Sequence, residues 1–153
     1  MKITTVAILG LGLMGGSLGL AIRKSGLCIR VKGYARRLET LRVALNMGAI
    51  DIACKTPEEA VQNANIVVLC VPILSVPVIL KSCLSGLGTD CIVTDVGSSK
   101  RELISQVGPI LENSPARFVG SHPMAGSEEE GIEAAKSNLY DDATVIVTET
   151  KHT

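Results

Sequence analysis

The glycine cluster Gly10-Leu11-Gly12-Leu13-Met14-Gly15-Gly16 constrains this chain most, because it stands between the apolar run Ile3 to Leu9 and the apolar, small-residue stretch Ser17 to Ile22. A buried strand, a tight turn and a helix start are readable in that order. Glycine at the first position permits the sharp turn, at the second it lets a pyrophosphate approach the backbone, and at the third it lets the helix pack closely on the strand. The free N–H groups at the positive end of that helix would then receive the phosphates. With this context on both sides, the loop reads as a dinucleotide-binding turn carried by Gly10, Gly12, Leu13, Met14 and Gly15.

A chain of 153 residues suits one domain with a real core. Aromatics make up only 2% and Trp is absent, so that core must be built from Val, Ile, Leu and Ala. Such a core favours a parallel sheet covered by helices, whose strands read as continuous aliphatic runs. The rest of the chain keeps to that plan. A helix from Gly16 to Lys24 is stopped by Ser25-Gly26, a strand covers Cys28 to Tyr34, a helix from Leu38 is closed by Gly48, and a short strand covers Ile50 to Cys54. Thr56-Pro57-Glu58-Glu59 has the spacing of a capping box before the next helix. Ile66 to Val71 is the most apolar strand, ended by Pro72, and residues 73–87 read as a helix with Pro77 in its first turn. Then come a strand at Cys91 to Thr94, a second capping-box spacing from Ser99 to Glu102 before a helix toward Glu112, and a strand at Arg117 to Gly120. A helix over Glu128 to Asn138 and a last strand at Ala143 to Thr148 complete the pattern. The alternation predicts an α/β fold with a doubly wound, mostly parallel sheet of the Rossmann type, a single dinucleotide-binding domain over 1–153, and a ligand crevice at the carboxyl ends of the strands.

Charge argues against some partners. With 15 basic and 15 acidic residues the net charge is zero, against a general nucleic-acid or membrane-surface role. Residues 1–55 carry nine Lys or Arg and two acids, and residues 56–153 carry six against thirteen. That asymmetry is either two solvated faces or a first half suited to a polyanion. Cys28, Cys54, Cys70, Cys83 and Cys91 form no C-x-x-C pair, so they read as small core residues of a reducing cytoplasm rather than as metal ligands or bridges. No charged leader precedes an apolar signal segment, and the apolar region Ile66 to Leu80, broken by Pro72, Ser75 and Pro77, is too short to span a bilayer.

In this fold the residues that follow each strand carry the chemistry. After the second strand, an NAD site places an acidic residue about 20 positions beyond the glycine loop. Counting 20 from Gly15 gives Ala35, between Tyr34 and the pair Arg36-Arg37. Two guanidiniums without a carboxylate suit a 2′-phosphate, so NADP is preferred and NAD is the alternative; otherwise both arginines are solvated loop charges. After the fourth strand, Val71-Pro72 either lines the cofactor or merely ends the strand. After the fifth, Asp95-Val96-Gly97-Ser98-Ser99-Lys100 offers two hydroxyls, with Ser99 read as the helix cap and Ser98 left facing the crevice. After the sixth, His122 stands in Gly120-Ser121-His122-Pro123-Met124-Ala125-Gly126-Ser127-Glu128. An imidazole there is placed either for acid–base work near neutral pH or for a structural role. His152, in the tail, is assigned no role.

These three segments, Gly10 to Ser17, Asp95 to Lys100 and Gly120 to Glu128, resemble in order the N-terminal domain of the prephenate and arogenate dehydrogenases of tyrosine biosynthesis. The resemblance implies oxidative decarboxylation of prephenate or arogenate, with hydride passing from the ring carbon bearing the hydroxyl to the nicotinamide. It implies that His122 accepts the hydroxyl proton, that Ser98 bonds near the same hydroxyl, and that Glu128 and Lys100 lie toward the substrate. It further implies a helical domain beyond Thr153 that forms a homodimer and binds the substrate side-chain carboxylate. On that reading this chain is the cofactor domain of a longer cytoplasmic enzyme, able to bind cofactor yet inactive alone. The alternatives are the cofactor domain of a β-hydroxyacid dehydrogenase, which shares the Gly-Leu-Gly-x-Met-Gly start, and a dinucleotide-binding module without chemistry.

Overall fold

The computed structural model describes residues 2–27 and 29–149. Among them, seven strands form one sheet: β1 (Thr5–Leu9), β2 (Arg30–Tyr34), β3 (Ile52–Cys54), β4 (Ile66–Leu69), β5 (Ile92–Asp95), β6 (Arg117–Pro123) and β7 (Val145–Thr148). The helices α1 (Leu13–Lys24), α2 (Leu38–Asn46), α3 (Pro57–Val61), α4 (Val76–Cys83) and α5 (Arg101–Leu111) connect the first six strands. Across the sheet the order is β3-β2-β1-β4-β5-β6-β7, parallel except for the final β6–β7 pair. Winding proceeds outward from β1, first to β3 and then, through α3, back to β4. The expected doubly wound sheet is therefore present, with its switch point between β1 and β4, where ligands bind in such folds.

Alternation along β1 builds the two layers. Ala7 and Leu9 enter one core with Val61, Leu80, Leu103 and Val107, while Val6 and Ile8 enter the other with Leu41, Ala44 and Ile132. Burial of both faces is why the central strands are apolar at nearly every position. At the start of α3, Thr56 Oγ1 accepts the Glu59 N–H at 3.1 Å, and the Glu59 carboxylate reaches back to the Lys55 N–H at 2.8 Å, one residue earlier than the expected capping box.

The structure corrects several boundaries. Helix α1 begins at Leu13, not Gly16, with Gly12 as its N-cap, so Gly15 and Gly16 lie inside the helix, Gly15 against the sheet and Gly16 against Ile132 and Ala135. Strand β2 begins at Arg30; Cys28 lies outside the described residues, as does His152. The helix expected over 73–87 is a turn of 3-10 helix at Ile73–Ser75, then α4 with Pro77 in its first turn, then a second 3-10 turn at Leu84–Gly86. Ser99 does not cap α5: Lys100 is the N-cap residue and its side chain makes no cap bond. The loop is organised instead by the Asp95 carboxylate, and Glu102 bonds forward to Gln106 at 2.6 Å.

Two further differences bear on the site. Strand β6 continues past Gly120 to Pro123, because β7 pairs antiparallel with Gly120 to Pro123, so His122 stands within a strand and not after one. The helix expected over 128–138 is absent, and the segment is a series of turns. Gly131 adopts φ +88°, outside the helical region, and the Lys136 N–H goes to Ser17 Oγ at 2.9 Å and not to a helical carbonyl. Ile132 and Ala135 are held against α1, where the absence of a side chain on Gly16 makes room for them.

Candidate active site

At the carboxyl edge of the sheet, a cleft of about 820 Å³ opens between the ends of β1, β2 and β4. Its floor is the glycine turn. Gly10, at φ +103°, adopts a conformation that other residues rarely reach, and its N–H is held by the Tyr34 carbonyl at 2.9 Å. A Cβ on Gly15 would lie 1.9 Å from the Gly10 carbonyl oxygen, so only glycine lets α1 approach this closely. The first helical bond of α1 runs from the Gly16 N–H to the Gly12 carbonyl at 2.9 Å. The N–H groups of Leu13, Met14 and Gly15 precede it and have no helical acceptor, which leaves them for an anion. The space above Gly12 is open, with nothing within 4 Å of where a Cβ would stand. This combination of free donors and a bare backbone fits a pyrophosphate.

Of the residues expected to bind cofactor, Gly10, Gly12, Tyr34, Arg36, Arg37, Val71 and Pro72 line the cleft. Leu13, Met14 and Gly15 do not; they sit in the first turn of α1 and offer backbone only. Arg36 and Arg37 are exposed, and neither forms an ion pair among the described residues. Thr40 joins them on the same wall, one helical turn into α2. The opposite wall is apolar: Leu74, Val78 and Ile79. Ile132, from the segment that returns over α1, closes the cleft beside Gly131. Cys70 also faces it, and burial, with the Asp95 charge adding, pushes its thiol up to about 12. Tyr140 donates its hydroxyl to the Met14 carbonyl at 2.8 Å, and burial raises the phenol well above its ordinary range.

The residues expected to react lie along the same edge, outside the cleft lining. Parallel register sets Leu9, Leu69 and Asp95 on one level and pairs Thr94 with Val119. His122, three residues beyond Val119 on β6, stands past that edge, partly buried opposite Ile146. Ser98 is exposed in the bend after β5, and Glu128 is exposed beyond β6. Lys100 faces inward: its ammonium meets the Asp95 carboxylate at 2.6 Å and also bonds the Gly97 carbonyl.

Sequence reasoning passed over Thr40, Ile132 and Asp95. Thr40 was findable, since it lies four residues past Arg36 at helical spacing. Asp95 had a signal too, as the one acid closing the apolar run from Cys91. Nothing local pointed to Ile132, whose place depends on tertiary contact with Gly16.

Fold and cleft together define a dinucleotide-binding domain of the Rossmann type. Residues 18–153 match the family described as prephenate dehydrogenase, nucleotide-binding domain, and the chain belongs to that family. It is 37% identical over 145 residues to the prephenate dehydrogenase of Bacillus subtilis, covering 94% of this chain and 39% of that protein. Among solved structures it is similar to the Aquifex aeolicus prephenate dehydrogenase in complex with hydroxyphenyl propionate and NAD+, with a TM-score of 0.89, 35% identity, and 100% of this chain over 53% of that one. It is also similar to the Synechocystis arogenate dehydrogenase, with a TM-score of 0.88, 30% identity, and 97% of this chain over 51% of that one. The chain thus spans about half the length of these crystallised relatives, or less for the Bacillus protein.

Proposed function

We propose that this chain is the cofactor-binding half of an enzyme that oxidatively decarboxylates prephenate or arogenate, with NADP preferred over NAD. The observation that carries the reading is the cleft itself: a glycine turn with free N–H donors at one end, and Arg36, Arg37 and Thr40 without a carboxylate at the other. Gly10, Gly12 and the first turn of α1 hold the pyrophosphate. Tyr34 and the two arginines take the adenosine ribose and its 2′-phosphate, with Thr40 as a further donor. Val71 and Pro72 lead from there toward β5 and β6. When bound, the nicotinamide supplies a hydride acceptor.

His122 accepts the proton from the ring hydroxyl as hydride leaves the same carbon, which lowers the barrier to forming the carbonyl. Ser98 bonds near the same hydroxyl and orients the imidazole. Glu128 lies toward the substrate, while the Lys100 ammonium is taken up by Asp95. Departure of the ring carboxylate as CO2 then gives an aromatic ring. The longer polypeptide supplies the group that binds the side-chain carboxylate and the surface of a homodimer; this half alone binds cofactor and turns over no substrate.

Calorimetric titration of this chain with NADPH and NADH tests the reading. NADPH should bind at least about tenfold more tightly, a difference of about 1.4 kcal/mol. Arg36→Ala combined with Arg37→Ala should bring the two affinities together. Failure of both dinucleotides to bind at millimolar concentration would overturn the proposal, and tighter NADH binding would overturn the assignment of the arginines.

A further inference from the structure

Among the described residues only two polar side chains are buried, Ser17 and Asp95, and Asp95 alone carries charge. Burying a carboxylate is costly unless each lone pair is used. Asp95 uses them in a particular way. Its Oδ2 accepts the Gly97 N–H at 2.9 Å and the Lys100 ammonium at 2.6 Å, and its Oδ1 accepts the Ser121 N–H at 3.2 Å. The Ser121 hydroxyl donates to the Asp95 backbone carbonyl at 2.6 Å and lies 3.0 Å from the Thr94 hydroxyl, which donates to the Val119 carbonyl at 2.6 Å. Gly97 immediately precedes Ser98, and Ser121 immediately precedes His122. One carboxylate therefore grips the backbone directly before each of the two side chains assigned to the reaction, although they come from different strands.

We propose that Asp95 is the positioning residue of this site: its carboxylate ties the loop that presents Ser98 to the strand that presents His122, with Lys100 bracing it from the loop side. This rests on the assignment of His122 and Ser98 to the chemistry. The ends of two neighbouring strands can splay independently, and beyond the parallel register β6 pairs, among the described residues, only with the exposed strand β7. Asp95 removes that freedom where a displacement of about 1 Å in a reacting group costs about 100-fold in rate.

The test uses the longer polypeptide that carries this chain, with steady-state turnover and NADPH affinity measured for each variant. Asp95→Asn preserves shape, weakens the shared acceptor and leaves Lys100 without its counter-charge. It should lower kcat by about 100-fold with NADPH affinity and KM within about twofold, the pattern of lost transition-state alignment. Ser121→Ala keeps the backbone bond and loses only the hydroxyl's contacts, so it folds even if Asp95→Asn does not; kcat should fall by about tenfold with the same unchanged affinity. In a His122→Asn background either change should cost less than about threefold more, because the imidazole it positions is gone. Losses that multiply in that background, or that appear as weaker NADPH binding at unchanged kcat, would overturn the role of Asp95 alone. Full turnover by His122→Asn itself would overturn the assignment of the site and this inference with it.

Discussion

Gly12→Ala, at the N-cap of α1, and Gly15→Ala, three residues on in its first turn, separate ligand binding from packing. At position 15 the new Cβ would fall 1.9 Å from the Gly10 carbonyl oxygen, 3.0 Å from Ile8 Cγ2 and 3.1 Å from Cys70 Cβ. Since Cβ atoms essentially never come within 3.0 Å of such atoms, the Gly10 backbone would have to retreat by about 1.1 Å, the difference of the two distances. That backbone is pinned by its bond to Tyr34 and has no free direction toward Cys70, whose carbonyl oxygen would lie 2.3 Å from a Cβ on Gly10. Overpacking costs about 3 kcal/mol at the upper end of its usual range, offset by about 1 kcal/mol of helix propensity gained from Gly to Ala. The net loss of about 2 kcal/mol corresponds to a Tm lower by about 4–8 °C in a domain of this size. At position 12 the backbone has φ −84° and the Cβ meets nothing. Stability there should fall by no more than about 1 kcal/mol, the N-cap preference for Gly over Ala, while NADPH affinity falls by about tenfold because the methyl occupies the approach of the pyrophosphate. Urea unfolding and NADPH titration of both variants read the two effects. Equal destabilisation by the two, or a Gly15→Ala protein of unchanged stability, would refute the packing argument.

Other consequences can be measured on the same protein. Burial raises Cys83 to about 12 and Cys91 to about 11, so between pH 9.0 and those values the folded state holds protons that the unfolded state has released. Stability should therefore be level to about pH 8 and then fall, by at most about 1.4 kcal/mol per pH unit for each thiol, as urea unfolding across the alkaline range would read. Ile132→Ala should cost about 2–4 kcal/mol and weaken NADPH binding together, since Ile132 is 2% exposed and packs on α1 while lining the cleft; a loss of stability with unchanged affinity would detach this segment from the cofactor. Tyr140→Phe leaves the Met14 carbonyl without its donor and should cost about 1 kcal/mol in thermal unfolding.

The sheet was legible in the sequence because its signals are local. Ile66 to Leu69 is apolar at every position, as a strand buried on both faces must be, and Thr56-Pro57 and Ser25-Gly26 mark helix ends by their own backbone preferences. What local pattern missed was decided elsewhere in the chain. The stretch from Glu128 to Asn138 contains good helix formers, yet the contacts of Ile132, Ala135 and Lys136 with α1 override that propensity. Ser99 to Glu102 has capping-box spacing, but a buried carboxylate five residues before Lys100 draws the loop inward instead. The glycine turn and Arg36-Arg37 could be placed at the cleft from spacing alone, because the turn is set by its own backbone and the arginines directly follow β2. His122 could be singled out, but not its place within β6, because the pairing partner β7 lies more than twenty residues further on.

The most direct test of the proposed chemistry is turnover by the proposed longer polypeptide with prephenate and with arogenate, following reduced nicotinamide and released CO2 together, for the unaltered protein and for His122→Asn. One of the two substrates should give one CO2 for each NADP reduced, and the variant should be slower by at least about 100-fold, the contribution of a general base. No reduction with either substrate, or an equal rate in the variant, would contradict the account.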